Sequence, residues 1–235
     1  MKKNELLELF YKKRRSLVNK VLIGAIVLLI LVSASLRFQK NESFVAKVSI
    51  QGIIQDRKDI LDQLEELNEN NNVKGLLTIV NSPGGTYVAS KEVHDSIRNI
   101  SKKIPTVVYM KEMATSGGYL ASLGSDKIYG NEGTITGSVG VILQTADISE
   151  LLEKLGISPI IIKSGELKAV PNPVEKIDET KKLYLEDMIK TMQKEFLQLV
   201  KDKRKISDNT LKLVSDGRIF TGKQAKDLNL IDEVG

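Results

Sequence analysis

From Phe44 to the end of the chain, apolar runs rich in β-branched residues alternate with amphipathic helical stretches, and this alternation restricts the fold more than any other feature. Phe44-Val45-Ala46-Lys47-Val48-Ser49-Ile50 reads as a strand ending at Gly52, and Gly75-Leu76-Leu77-Thr78-Ile79-Val80 as a buried strand. Between them, Asp59 to Asn68 places Ile60, Leu61, Leu64 and Leu67 on one helical face. A helix through Ile100 and the strand Thr106-Val107-Val108-Tyr109-Met110 follow. Later come a helix over Asp147–Leu155, a strand over Ser158–Ile162 and a long amphipathic helix from Asp178 to Val200. A last helix starts at Thr221, an N-cap residue, and runs through Ala225 to Leu228. Strands separated by helices imply an α/β fold with a largely parallel sheet, and residues 41–235 are the size of one domain.

The first forty residues are a different material. Val21 to Leu36 carries no charge, is bounded by Lys20 and Arg37, and follows Lys12-Lys13-Arg14-Arg15. The run is slightly short for a hydrocarbon core of roughly 30 Å, but Leu17 and Val18 extend it, and Lys20 and Arg37 can snorkel. The expectation is a transmembrane anchor over 21–36, a cytoplasmic basic segment over 1–20 and an extracytoplasmic domain over 41–235 in the cell membrane. A cleaved signal peptide is the rival, since Ser33-Ala34-Ser35 loosely fits a small-residue cleavage site. Nine of the 35 basic and two of the 30 acidic residues fall in these forty positions, leaving 26 and 28 and a net charge of −2 beyond them. With aromatics at 5%, the main domain has neither the charge nor the stacking residues of a nucleic-acid binder.

Ala114-Thr115-Ser116-Gly117-Gly118-Tyr119 follows a strand-like run and precedes a helix-compatible one. A serine at such a turn can project its hydroxyl, and the next backbone N–H groups lie unpaired at the helix start. Ser116 is therefore a candidate nucleophile with half an oxyanion hole. With no cysteine in the chain, a thiolate nucleophile, a thiolate zinc site and a disulfide framework are excluded. The single histidine, His94, lies beside the helical stripe of Val93, Ile97 and Ile100, which favours a structural or solvent-facing role over a triad. Lysine remains as the base, as in known Ser-Lys enzymes. It works in that role only where burial disfavours the ammonium.

Three segments could complete the site. Asn81-Ser82-Pro83-Gly84-Gly85-Thr86 follows a buried strand and would supply a second oxyanion donor, a rail for an extended peptide, or only a turn. In Gly133-Thr134-Ile135-Thr136-Gly137-Ser138-Val139-Gly140-Val141, Ser138 would hydrogen-bond a catalytic amine or satisfy local backbone groups. Lys163-Ser164-Gly165-Glu166-Leu167-Lys168 holds two competing lysines. Ala169-Val170-Pro171 makes the surroundings of Lys168 the more apolar, while Lys163 sits at a strand end.

Together, the Ser116, Gly84-Gly85, Ser138 and Lys168 segments and the closing Gly217-Arg218-Ile219-Phe220-Thr221-Gly222-x-x-Ala225 resemble the signal peptide peptidase A serine proteases, in that family's order, from about Phe44 onward. The resemblance implies a ClpP/crotonase-like α/β fold and a Ser-Lys dyad that degrades remnant signal peptides in the membrane. It implies Ser116 as nucleophile, Lys168 as general base, the N–H groups of Gly85 and Gly117 as oxyanion hole, and Ser138 as the residue that orients the lysine. It requires no metal or cofactor. The chain resembles one half of the tandem-duplicated members. Short members form homo-oligomeric rings and can pair Ser and Lys from neighbouring protomers. Ending at Asp232-Glu233-Val234-Gly235, it stops early for the family, so a missing C-terminal tail is expected.

Two other functions suit the same scaffold. A crotonase-type acyl-CoA enzyme would draw on glutamates such as Glu112 and Glu132, which stand outside any matching pattern. A non-catalytic membrane scaffold would keep the fold for assembly alone.

Overall fold

The computed structural model describes residues 3–39 and 42–235. The chain divides into two compact units, Met1–Phe44 and Val45–Gly235. The expected domain start at residue 41 lies outside the described residues.

In the first unit, helix α1 spans Lys3–Gln39. Its stretch Tyr11–Ser33 reaches a mean hydropathy of 2.3, has none of that window buried, and is long and apolar enough to cross a membrane. At about 1.5 Å per residue, 23 residues cover roughly 34 Å. The stretch contains most of the uncharged run Val21–Leu36.

The second unit is an α/β domain. Its strands are β1 (Phe44–Gln51), β2 (Val73–Ser82), β3 (Thr106–Thr115), β4 (Lys127–Gly130), β5 (Ile135–Gly137), β6 (Ile219–Thr221) and β7 (Glu233–Val234). Its helices are α2 (Lys58–Glu69), α3 (Tyr87–Ser101), α4 (Gly117–Ser122), α5 (Ser149–Lys154), α6 (Glu179–Arg204), α7 (Asp208–Val214) and α8 (Gly222–Asp227). The sheet runs β1-β2-β3-β4-β7, with β5 branching from the end of β3 and carrying β6. The β2–β3, β3–β4, β3–β5 and β4–β7 pairs are parallel, and β5–β6 is antiparallel.

Periodicity explains why these segments bury what they bury. From Gly75 to Ser82 every position of strand β2 is buried or half-buried, as in a central parallel strand covered on both faces. Helix α3 buries Ala89, Val93, Ile97 and Ile100 at three- and four-residue spacing. Each fully buried isoleucine contributes about 1.5–3 kcal/mol relative to exposure. Helix α6 is N-capped by Asp178, whose carboxylate accepts from the Lys181 amide at 2.9 Å. Thr221 caps α8 in a reciprocal box with Gln224.

One expected element does not form. Ser158–Ile162 forms no strand and pairs with none among the described residues, and Ile160 and Ile162 are 88% and 96% exposed. Its apolar, β-branched composition reads as a strand, but a strand requires a neighbour for its backbone groups, and this chain offers none there. The helix expected over Asp147–Leu155 is trimmed to α5. His94 is buried, 6% exposed, so its structural alternative holds and the solvent-facing one does not.

Candidate active site

Strand β3 delivers Ser116 to the N-cap of α4 with φ 50° and ψ −120°. A non-glycine residue in this region is strained, and such strain is held in place only by its surroundings. Here the Ser116 amide donates to the Gly137 carbonyl at 2.8 Å, continuing the β3–β5 pairing through the turn. Below the turn, Tyr119 of α4 is fully buried and donates its hydroxyl to the Leu230 carbonyl at 2.8 Å; burial pushes its pKa up. The Ser116 hydroxyl is thus carried on a pinned strand–turn–helix junction.

The second wall of the site is the loop after β2. Ile54 donates to the Gly84 carbonyl at 2.8 Å and accepts from the Thr86 amide at 2.9 Å, forming a parallel bridge opposite Gly85. That bridge leaves the Gly85 N–H on the other edge, toward the serine turn. A Cβ on Gly85 would overlap the Ile54 carbonyl, so only glycine lets the two backbones approach this closely. The Thr115 hydroxyl donates to the Pro83 carbonyl at 3.1 Å, and the Gly84 amide donates to Ser82 Oγ at 3.0 Å, which fasten the loop to the turn.

Gly117 is the first residue of α4, so its N–H has no intrahelical acceptor. A Cβ built on Gly117 would lie 3.1 Å from the Gly85 nitrogen and would overlap the Ser90 hydroxyl. Two backbone amides without acceptors among the described residues therefore converge beside Ser116. Preorganised donors of this kind suit a developing oxyanion.

Ser116, Gly85, Gly117 and Ser138 line one cavity of about 890 Å³. Ser138 has φ 52°, and its amide donates to the Arg218 carbonyl at 2.8 Å, which fixes its backbone at the cavity edge. The far wall is apolar and comes mostly from α6, through Met188, Ile189, Met192 and Phe196, with Leu120 of α4. Tyr87, also lining the cavity, ties α3 to α6 by donating to Glu195 at 3.0 Å. Burial, with help from that carboxylate, pushes the Tyr87 pKa up to about 12, so its hydroxyl remains a donor.

Lys168 does not line this cavity. It occupies an exposed turn in which its amide donates to the Gly165 carbonyl at 3.0 Å. Lys163, the competing lysine, donates to Glu175 at 2.7 Å. His94 does not line the cavity; its ring donates to Asp95 at 2.9 Å, and burial lowers its pKa. Glu112 and Glu132 are both exposed and do not line it either. Among the described residues no group of three or more His, Asp or Glu side chains converges as a metal site.

Sequence reasoning missed Ser90 and the α6 wall. Met188, Met192 and Phe196 recur at four-residue spacing, a signal that was available, but periodicity alone does not separate a face toward a cavity from a face toward the core. Ser90 carries no local signal, because its significance is its packing against Gly117.

Residues 98–235 match the profile of peptidase family S49, and residues 42–132 that of Clp protease. The chain is 37% identical over 205 residues to a putative signal peptide peptidase SppA of Enterococcus faecium, covering 81% of this chain and 60% of that protein. It is 35% identical over 193 residues to a putative protease of Synechocystis, covering 81% and 69%. Protease 4 of Haemophilus influenzae is 28% identical over 207 residues, covering 81% of this chain and 32% of that protein. The chain spans about six-tenths of the length of the first two curated relatives it matches. In three dimensions it resembles a ClpP1 variant of Listeria monocytogenes, with TM-score 0.54, 20% identity and coverage of 80% and 90%. It also resembles a mutant of the membrane-bound stomatin-specific protease 1510-N, with TM-score 0.51, 18% identity and coverage of 83% and 80%. The fold is ClpP-like, and the chain belongs to peptidase family S49, the family of the signal peptide peptidase SppA and protease 4 proteins.

Proposed function

We propose that this chain is a membrane-anchored serine endopeptidase that works by a Ser-Lys dyad. The observation that carries the reading is the strained Ser116 turn at a cavity where the N–H groups of Gly85 and Gly117 converge without acceptors. Lys168 takes the Ser116 hydroxyl proton as Oγ attacks the peptide carbonyl carbon. The two amides hold the oxyanion. Collapse breaks the C–N bond, and the leaving amine takes the proton from Lys168. Lys168 then deprotonates a water that hydrolyses the acyl-enzyme and frees Ser116. Ser138 accepts a hydrogen bond from the lysine amine and orients it.

Lys168 comes from another copy of the chain in a homo-oligomeric ring. Its exposed turn, outside the lining of the cavity, supports this, as does the ClpP-like fold. So does the arm around it, where Ile142, Ile160 and Ile162 are 87%, 88% and 96% exposed. Large apolar side chains exposed together suit a contact between copies. An amine enclosed at such a contact loses its proton more readily than one in water.

The substrates are peptides with large apolar side chains, such as cleaved signal peptides left in the bilayer. The cavity wall of Met188, Ile189, Met192 and Phe196 favours them. Residues 21–36 serve as the anchor, 1–20 stay cytoplasmic with the Lys12–Arg15 cluster, and 41–235 form the protease domain outside.

A serine-reactive phosphonate tests the reading on the membrane-embedded full chain. Labelling should fall on Ser116 and be absent from Ser116→Ala, together with peptide hydrolysis. Hydrolysis retained in Ser116→Ala would overturn it.

A further inference from the structure

We propose that Lys163 and Glu175 are positioning residues whose ion pair closes the base of the 164–174 loop and thereby holds Lys168 at the height needed to enter a neighbouring copy's site. This rests on the reading of Lys168 as the base.

The loop leaves Lys163 and returns at Glu175. The Lys163 amine donates to Glu175 Oε1 at 2.7 Å, and the Lys181 amine donates to the same oxygen at 2.8 Å. Lys181 belongs to the first turn of α6, where Asp178 receives its backbone amide at 2.9 Å. The clip is therefore fastened to the end of a 26-residue helix. Lys181 also reaches the Lys176 carbonyl at 3.2 Å, and the Ile148 amide binds the Pro173 carbonyl at 2.8 Å, so the returning limb is held from two sides.

Little else fixes the outgoing limb. Ile160 and Ile162, just before Lys163, are almost fully exposed, so apolar packing within the chain does not hold it. Inside the loop the hydrogen bonds are local turn bonds: the Lys168 amide to the Gly165 carbonyl at 3.0 Å, the Val170 amide to the Leu167 carbonyl at 3.3 Å, and, at its returning end, the Val174 amide to Asn172 Oδ1 and the Glu175 amide to the Asn172 carbonyl, both at 3.2 Å. The clip is not an ordinary surface pair. Its side chains are 16%, 27% and 12% exposed for Lys163, Glu175 and Lys181. Exposed pairs contribute little because water screens them and the side chains lose freedom. Two lysines on one largely enclosed carboxylate escape much of that loss. Consistent with this, their hydrogen bonds hold the Glu175 carboxyl below the usual carboxylate range. The geometry also separates the two lysines of the Lys163–Lys168 segment: one amine is engaged by a carboxylate, and the other stands on the turn that the first one supports.

Glu175→Gln is the decisive variant, because it is nearly isosteric and removes only the charge. Lys163→Met and Lys163→Arg accompany it, with Lys168→Ala as the reference, all in the full chain in detergent. A misplacement of about 1 Å costs on the order of 100-fold in rate. Glu175→Gln and Lys163→Met should therefore lower kcat about 10- to 100-fold, with KM within about twofold and oligomer size unchanged. Lys163→Arg should restore most of the loss. If Lys168→Ala is inactive while Glu175→Gln assembles and keeps full kcat, the positioning role is overturned and the dyad stands. If Lys168→Ala is itself fully active, the dyad reading has failed, whatever the clip does.

Discussion

Ser90 and Gly117 stand so close that a methyl group on Gly117 would overlap the Ser90 hydroxyl. Ser90 is fully buried on α3 and donates to the Thr86 carbonyl at 2.9 Å, so it cannot swing away without breaking that bond. The serine turn, the Gly85 loop and the start of α3 are thus locked at a single point.

Gly117→Ala should therefore shift the start of α4 and misdirect one oxyanion donor. The expected fall in kcat is about 10²- to 10³-fold, the usual effect of losing one such donor. Adding Ser90→Ala removes the overlapping hydroxyl and should recover part of the rate. Steady-state hydrolysis of a peptide substrate by the two variants tests this; no recovery in the double variant would break the link to Ser90.

Ser138 lines the cavity, and its amide is engaged by the Arg218 carbonyl. Replacing Ser138 by Ala should lower kcat by about 10- to 100-fold, within the range of proton-transfer assistance, and leave KM nearly unchanged. A large rise in KM with constant kcat would assign Ser138 to substrate binding instead.

His94 should make the domain sensitive to mild acid. Burial lowers its folded pKa below the unfolded value of about 6.5, outweighing the opposing pull of Asp95, with Lys91 and Arg98 adding to the lowering. A depressed folded value means stability is fully present above about 6.5 and is lost as the pH falls from there toward the folded pKa. Asp95 has its own pKa lowered from 3.8 and does not titrate in this window. Urea unfolding at pH 7.5 and pH 5 should show a larger loss for the native chain than for His94→Gln. Equal losses would contradict the assignment.

Arg204, at the end of α6, is 5% exposed and donates to Asp232 at 2.8 Å and to the Asn229 carbonyl at 2.8 Å. Burial raises the Asp232 pKa, but Arg204, the Ile128 amide and Lys127 more than offset it, and the net direction is down. Arg204→Met should destabilise the domain by about 1.5–3 kcal/mol, since it removes the most buried charged donor to Asp232 and leaves only Lys127 and the Ile128 amide. Chemical denaturation measures it; a change below about 0.5 kcal/mol would mark the pair as one of the many surface pairs of no consequence.

Much of this architecture could be read from the chain, and for identifiable reasons. β2 is a near-continuous apolar run bounded by turn residues, α3 carries a strong period of 3.6 residues, and Thr221 and Asp178 are capping residues whose role is local. The Ser116 turn was legible because a strand, a Ser-Gly-Gly and a helix follow in seven or so positions. Ser158–Ile162 misled because its composition is that of a strand, whereas pairing depends on a neighbour that composition cannot report. The Ser90–Gly117 contact joins α3 to α4 and has no trace in either local pattern. The relation of Lys168 to Ser116 was legible only as motif order, since no local pattern in either segment reports whether the two side chains meet.

That relation is the centre of the account, and subunit mixing tests it most directly. Ser116→Ala and Lys168→Ala should each be inactive alone. Co-assembled in one membrane, they should regain peptide hydrolysis, because a Ser116 from one copy can then meet a Lys168 from the other. Mixed oligomers that form, as seen by co-purification of two tags, yet stay inactive at every ratio would contradict a dyad shared between copies.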